Sequence, residues 1–239
     1  MSGSDPKNED VFDHTGHRAR MRAYYLEHGM DVMRDYEILE MMLYYTIPRG
    51  DTRTIARRLI VQFESLSAVL DAPYEALIAV KGVGERTATF LKQIPDFSRA
   101  YLTDRNRRDD VLDSQDKIEA YLEPCFIGRN VECFYVLCLD SACRARNCVK
   151  LNEGESHAVT VNTQKIGALL SAQNVSMIVI AHNHPFGPAM PSSADIELTK
   201  QIRLLARSMN VRMLDHIIFA EDGNYSMRQS EKWRRLFDA

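Results

Sequence analysis

The segment Ser176-Met177-Ile178-Val179-Ile180-Ala181 runs straight into His182-Asn183-His184, and Pro185 and Gly187 follow at once. A short apolar run rich in β-formers fits a strand buried on both faces. Proline and glycine then end the ladder and turn the chain away. Such a strand needs a sheet around it. Cys133-Phe134-Tyr135-Val136-Leu137-Cys138-Leu139 supplies a second apolar run of strand length. Arg146 to Leu151 and His157 to Val161 read as shorter strands, and Val211 to Ala220 with Asn224 to Met227 close the sheet around a Glu221-Asp222-Gly223 turn. Helices are expected over Asp116 to Leu122, Thr163 to Gln173 and Asp195 to Met209. In the last of these, Ile196, Thr199, Ile202, Leu205 and Met209 share one face. The second half therefore reads as a mixed α/β domain.

Residues two apart on a strand point to the same side, so His182 and His184 face one point in space from the strand's end. The chain returns through Pro191-Ser192-Ser193, and Asp195 opens the next helix. Ser192 or Ser193 suits an N-cap, and an acidic side chain in the first turn is favoured by the helix dipole. This layout brings the Asp195 carboxylate back to the two imidazoles. Two neutral nitrogens and one carboxylate oxygen suit a single Zn²⁺, with a fourth position left for water, the mark of a catalytic rather than a structural site. Hydrolysis also needs a group that takes a proton and delivers it to the leaving amine. Glu132, immediately before the strand starting at Cys133, is the candidate. A paired His-x-His alone, or a glutamate at a strand start, is ordinary in structural roles. The loop and Asp195 strengthen the metal reading, because each stands where a ligand is needed.

The first half has a different texture. Arg18 to His28, Asp35 to Tyr45, Thr52 to Phe63, Ser67 to Leu70, Tyr74 to Ala79 and Glu85 to Tyr101 read as short helices broken by glycine and proline. Residues 1–13 form a polar tail, 14–102 a helical domain, 103–113 a charged linker with helix extension as the alternative, and 114–239 the α/β domain. A chain of 239 residues is long enough for two small cores. Within the helical part, Gly82-Val83-Gly84 joins two helices in the manner of a helix-hairpin-helix. Gly82 and Gly84 would let backbone N–H groups approach a DNA phosphate, with Arg86 and Lys92, and Arg53, Arg57 and Arg58 if they share a face, adding cations. The competing reading is a tight turn that only packs the domain. A net charge of -3 gives no whole-chain argument for nucleic acid. No apolar run is long enough to span a membrane, and the polar start lacks a signal-peptide core. The 5 cysteines, odd in number and without a C-x-x-C pair, fit reduced thiols and a cytoplasmic protein.

The pattern His182-x-His184, then Asp195, with Ser192 three residues before it, resembles the JAMM (MPN/JAB) metalloprotease motif. His182-Asn183-His184-Pro185-Phe186-Gly187, Pro191-Ser192-Ser193-Ala194-Asp195-Ile196-Glu197-Leu198-Thr199 and Leu214-Asp215-His216-Ile217-Ile218 are similar to the bacterial RadC (UPF0758) subgroup. Gly16-His17-Arg18, Pro48-Arg49-Gly50-Asp51 and the Gly82-Val83-Gly84 hairpin extend the likeness over nearly the whole chain. The resemblance implies a cytidine-deaminase-like α/β domain, a mixed sheet with flanking helices holding one zinc, preceded by a small all-α helix-hairpin-helix domain. It implies His182, His184 and Asp195 as ligands, Glu132 as general base and Ser192 as a support for the tetrahedral intermediate. Gly187-Pro188-Ala189-Met190 and Asn152-Glu153-Gly154-Glu155 depart from the usual subgroup sequence. Asp215-His216 fits either a carboxylate–imidazole pair behind the metal or a buried strand network, and the structural role is favoured.

These readings converge on a zinc-dependent hydrolase acting on a peptide or protein substrate, as peptidase or isopeptidase. The alternative is a DNA-associated accessory protein whose zinc domain is a binding module. A deaminase is disfavoured, because the P-C-x-x-C ligand pattern is absent.

Overall fold

The computed structural model describes residues 14–106, 111–153, 163–172 and 174–238. The expected strand over His157 to Val161 and the polar tail lie outside these residues. The chain divides into two compact units, one up to Ile94 and one from Pro95 onward.

The first unit is helical: α1 (His14–His28), α2 (Asp35–Leu43), α3 (Thr52–Phe63), α4 (Leu66–Asp71), α5 (Tyr74–Ile78) and the start of α6 (Glu85–Asn106). Asp51 caps α3 by accepting from the Thr54 amide at 3.0 Å, and Ser65 caps α4 by accepting from the Ala68 amide at 3.1 Å. Leu39, Leu43, Leu59, Leu77 and Leu91 form its fully buried core. Gly82 sits in the turn between α5 and α6 at φ +101°, and a Cβ there would meet Ile55 at 2.8 Å. The positive φ favours glycine at that position, and any side chain there would also have to displace Ile55.

The charged run read as a linker is helical as far as Asn106. Its arginines are good helix formers, and Arg105 in the last turn suits the dipole. The division between the units falls instead at Pro95, inside α6. Pro95 packs so closely on Gly128 that a Cβ at Gly128 would lie 2.4 Å from the proline ring.

The second unit contains α7 (Gln115–Leu122), β1 (Cys133–Leu139), β2 (Ala145–Glu153), α8 (Thr163–Leu170), β3 (Met177–His184), α9 (Ser193–Ser208), β4 (Arg212–Ala220) and β5 (Gly223–Ser226). The sheet order is β2-β1-β3-β4-β5, antiparallel except where β3 and β4 run parallel across the α9 crossover. Among the described residues this is a mixed α/β architecture with a five-stranded sheet flanked by helices. Alternation along the strands sorts two cores. Phe134, Val136, Ile178, Ile180 and Ile218 pack with Ile166, Ile202 and Ala206 of α8 and α9. Leu137, Leu139, Val179, Ala181, Ile217 and Phe219 pack with Ile118 and Leu122 of α7. β3 continues past Ala181 to His184, because pairing with β4 extends to His184 opposite Ala220.

Candidate metal centre

The last residues of β3 extend its two faces. His182 and His184 continue the Ile178–Ile180 side, and Asn183 continues the Val179–Ala181 side. The Nε2 atoms of His182 and His184 lie 2.9 Å apart. Asp195, in the first turn of α9, sets Oδ1 3.3 Å from His182 Nε2 and Oδ2 3.7 Å from His184 Nε2. Glu132 Oε1 is 3.6 Å from His184 Nε2. One ligand atom each from Glu132, His182 and His184 lie within 4.8 Å of one another, a group able to hold a metal ion.

Donor chemistry makes the fit specific. His184 Nδ1 is 2.9 Å from the Pro188 carbonyl oxygen, which can only accept, so that nitrogen carries the proton. Whenever the ring is neutral, its Nε2 therefore offers a lone pair. Lone pairs and carboxylate oxygens thus converge, and among the described residues neither carboxylate is paired with lysine or arginine. Asp195, bridged to both imidazoles, and Glu132, against His184 alone, both come within reach of an ion held by the pair.

Electrostatics follow this crowding. Burial opposes the charge of Asp195, but the imidazoles of His182 and His184 and the Ser192 hydroxyl outweigh it and hold the carboxyl far below the usual carboxylate range. The neighbouring Asp195 raises the His184 pKa against its burial, with the Pro188 carbonyl and the Glu132 charge assisting.

The surroundings fix each group. Ser192 is the N-cap of α9, and its Oγ accepts from the Asp195 amide at 3.2 Å. Its hydroxyl and amide both donate to Asp195 Oδ2, at 2.6 and 2.8 Å. The single hydroxyl proton of Ser192 is therefore directed at the carboxylate it positions. Asn183 reaches the other way. Its Oδ1 accepts from the Cys133 amide at 2.8 Å, and its Nδ2 donates to the carbonyls of Arg129 at 3.3 Å and Val131 at 3.2 Å. The residue between the two histidines thus anchors the segment carrying Glu132.

His216, which the sequence allows behind the metal but favours as part of a strand network, and Thr199, read only as part of the α9 face, both reach the histidine pair. His216 Nε2 lies 2.8 Å from His182 Nδ1, and His216 Nδ1 lies 2.6 Å from Thr199 Oγ1. The Asp215–His216 pair divides between the faces of β4. The Asp215 carboxylate accepts from the Ser226 hydroxyl and from the amides of His216 and Arg228, and makes no bond to the His216 ring. Burial first, then the nearby His182 and His184, push the His216 pKa well below its usual value, against the pull of Asp195. The signal for His216 lay in register, since it pairs with Ile180 in the parallel β3–β4 ladder and so shares the His182 face.

The residues named for DNA sit elsewhere. Gly82 and Gly84 flank the turn before α6, and Arg86 is exposed in the first turn of that helix. Arg58 donates to the Lys81 carbonyl at 3.2 Å, Lys92 donates to the carbonyls of Leu70 and Asp71, and Arg57 lies over the Tyr36 ring.

A cleft of about 20 Å³ opens on the centre between Glu132, Asn152, His182, Asp195 and Leu198. That is room for one ion or one water. A far larger cavity, about 850 Å³, includes Arg99, Tyr135 and Arg146 in its lining. Among the described residues its lining shows no group of histidines and carboxylates like that at the end of β3. Arg99 is bonded to Asp96 and to the Ile127 carbonyl, and Arg146 to Asp140. Chemistry outranks size in locating the site.

Comparison with known proteins agrees with this architecture. The sequence model of the RadC-like JAB domain matches residues 112–233. A UPF0758 protein of Fusobacterium nucleatum subsp. nucleatum is 31% identical over 221 residues, covering 90% of this chain and 95% of the relative. UPF0758 proteins of Ruegeria pomeroyi, 32% identical over 216 residues (89% of this chain, 95% of the relative), and Acinetobacter baylyi, 33% over 211 residues (88% and 78%), are similarly related. The five-stranded mixed sheet, the histidine pair at the end of β3 and these matches together place the chain in the RadC (UPF0758) family, with a RadC-like JAB domain in its second half.

Proposed function

We propose that this protein is a zinc-dependent amide hydrolase, a peptidase or isopeptidase, whose centre lies at the end of β3. The observation that carries the reading is the convergence of His182, His184, Asp195 and Glu132 on one small cleft, with nitrogen lone pairs and carboxylates facing each other. His182, His184 and Asp195 would hold the ion, a nitrogen-and-oxygen set that suits zinc. Zinc there supplies Lewis acidity, acidifying water and polarising a carbonyl.

The chain's own groups do the rest. Glu132, held at the mouth of β1 by Asn183, takes a proton from the attacking water and delivers it to the leaving nitrogen. Ser192 keeps Asp195 turned toward the imidazoles through the capping box. Phe134, its ring 6.4 Å from that of His182 and nearly parallel to it, forms an apolar wall behind the histidine. For the helical unit, the carbonyl partners of Arg58 and Lys92 and the packing of Gly82 on Ile55 favour a packing role over DNA contact. Salt-independent failure to retain duplex DNA is the expected result.

The test is Glu132→Gln assayed on a quenched-fluorescence peptide library. Turnover is expected to fall by about 10²–10⁴-fold, the range for loss of general acid–base catalysis, while zinc stays bound. Unchanged turnover in the variant removes Glu132 from the mechanism. DNA binding that rises steeply at low salt and survives the substitution would favour the accessory-protein reading.

A further inference from the structure

We infer that Thr199 and His216 are positioning residues that fix which ring nitrogen of His182 faces the cleft, and thereby set the affinity for a divalent transition metal. The inference rests on the metal reading above.

The argument starts from a buried chain of hydrogen bonds with a defined direction. Thr199 and His216 are both fully buried. Thr199 Oγ1 lies 2.6 Å from the backbone oxygen of Asp195, one helical turn earlier. A carbonyl only accepts, and two oxygens at that distance repel unless a proton lies between them, so the hydroxyl proton points there. The other available acceptor, Met227 Sδ at 3.7 Å, is weak. Thr199 Oγ1 is then an acceptor toward His216, and the 2.6 Å contact requires a proton on His216 Nδ1. An imidazole shut away from water, with no carboxylate on either nitrogen, stays neutral and carries one N–H only. His216 Nε2 is therefore an acceptor. The 2.8 Å contact with His182 places a proton on His182 Nδ1, so that Nε2 is the nitrogen whose lone pair a metal can take.

The consequence lies at the cleft. His182 Nε2 faces His184 Nε2 and Asp195 Oδ1 as a lone pair, ready to coordinate. If the relay ran in reverse, a proton would sit on His182 Nε2, where the ion must go. The anchor of the relay and one proposed ligand come from the same residue, since the Asp195 carbonyl receives Thr199 while the Asp195 carboxylate faces the histidines. Removing the hydroxyl would leave a buried His216 Nδ1–H without an acceptor. The ring then gains by moving its proton to Nε2 and donating to His182, which reverses the relay.

The experiment combines histidine-ring 1H–15N correlation spectra of the metal-free chain with zinc titration against a chromophoric chelator, on wild type, Thr199→Val and Thr199→Ser. Wild type is expected to show Nδ1-protonated rings at His182 and His216. In Thr199→Val the His182 proton shifts toward Nε2 and zinc affinity falls about 10- to 100-fold, the range for outer-shell partners of metal ligands. Thr199→Ser keeps the hydroxyl and restores both readouts. A wild-type His182 that lacks a proton on Nδ1 and carries it on Nε2 overturns the inference even if the valine variant does not fold. Equal zinc affinity in wild type and Thr199→Val overturns it and leaves the metal reading standing. So does an equal loss in valine and serine variants without a tautomer change, which marks a merely structural role. A wild-type chain that binds no zinc overturns the metal reading and this inference together.

Discussion

In the helical unit polar groups answer one another, whereas at the end of β3 they confront one another. Lys92 donates to the carbonyls of Leu70 and Asp71 at 3.1 and 3.2 Å, satisfying the C-terminal end of α4. Arg18 bridges the carbonyls of Pro48 and Gly50, and Arg58 reaches that of Lys81. Of the cations that looked available for phosphate in the sequence, Lys92 and Arg58 hold backbone carbonyls instead. The exception is Glu40, whose Oε1 accepts from Tyr44 and contacts His17 while its buried Oε2 has no partner among the described residues. At the end of β3 the balance is inverted, with acceptor facing acceptor and no lysine or arginine paired with either carboxylate among the described residues. Native interiors avoid that arrangement unless something else completes it. The lesson is that a site shows itself by a deficit of donors rather than by an abundance of charge.

The contrast can be broken by substitutions on either side. Leu59→Ala, in the fully buried helical core, should cost about 2–5 kcal/mol of stability, read by urea denaturation, and leave zinc affinity unchanged. A matching loss of zinc affinity would mean the centre depends on the helical unit. Asn183→Ala should cost about 1–3 kcal/mol, because buried partners around Glu132 lose their acceptor and donor. It should lower turnover more than zinc affinity; the opposite pattern would assign Asn183 to the histidines. Lys92→Met should cost about 1 kcal/mol through the lost α4 carbonyl bonds. A weaker affinity for duplex DNA with unchanged stability would reverse the contrast for this residue.

The smallest effect concerns Asp140, a satisfied carboxylate within the α/β unit. Its Oδ1 accepts from the amides of Arg144 at 2.9 Å and Ala142 at 2.8 Å, and Oδ2 pairs with Arg146. The Arg144 amide leads in lowering its pKa, against opposing burial, with the Ala142 amide and Arg146 adding to it. A lowered folded-state pKa stabilises above the ordinary value of about 4, and the contribution disappears as pH falls through the folded value. The difference in melting temperature between wild type and Asp140→Asn should therefore be largest near neutrality and shrink on acidification through that window. A gap that widens in acid would contradict the sign.

What could be read from the sequence was local. β1 spans the residues its apolar run marks, Cys133 to Leu139, and α3 runs from Thr52 to Phe63 as its pattern indicates. Two-residue periodicity was enough to place His182 and His184 on one face. Ser192 and Ser193 were both legible as N-cap candidates, and the cap is Ser192. For His216 the sequence left a place behind the metal open but favoured a structural role, and Thr199 was hidden, because their meeting with His182 depends on the parallel register of β3 and β4 and on how α9 crosses between them. No short-range pattern encodes that. Asn183 was passed over for the same reason, since its partners lie some 50 residues earlier in the chain. The helix through Asn106 was only the alternative to a linker, because a charged run without apolar anchors reads equally as linker or solvated helix.

Metal content decides the central claim. Purified wild-type chain, dialysed and measured by elemental analysis beside His182→Ala and Asp195→Ala, should carry close to one equivalent of zinc, and both variants little or none. Equal zinc in all three would contradict the account, because the ion would then be held somewhere other than the end of β3.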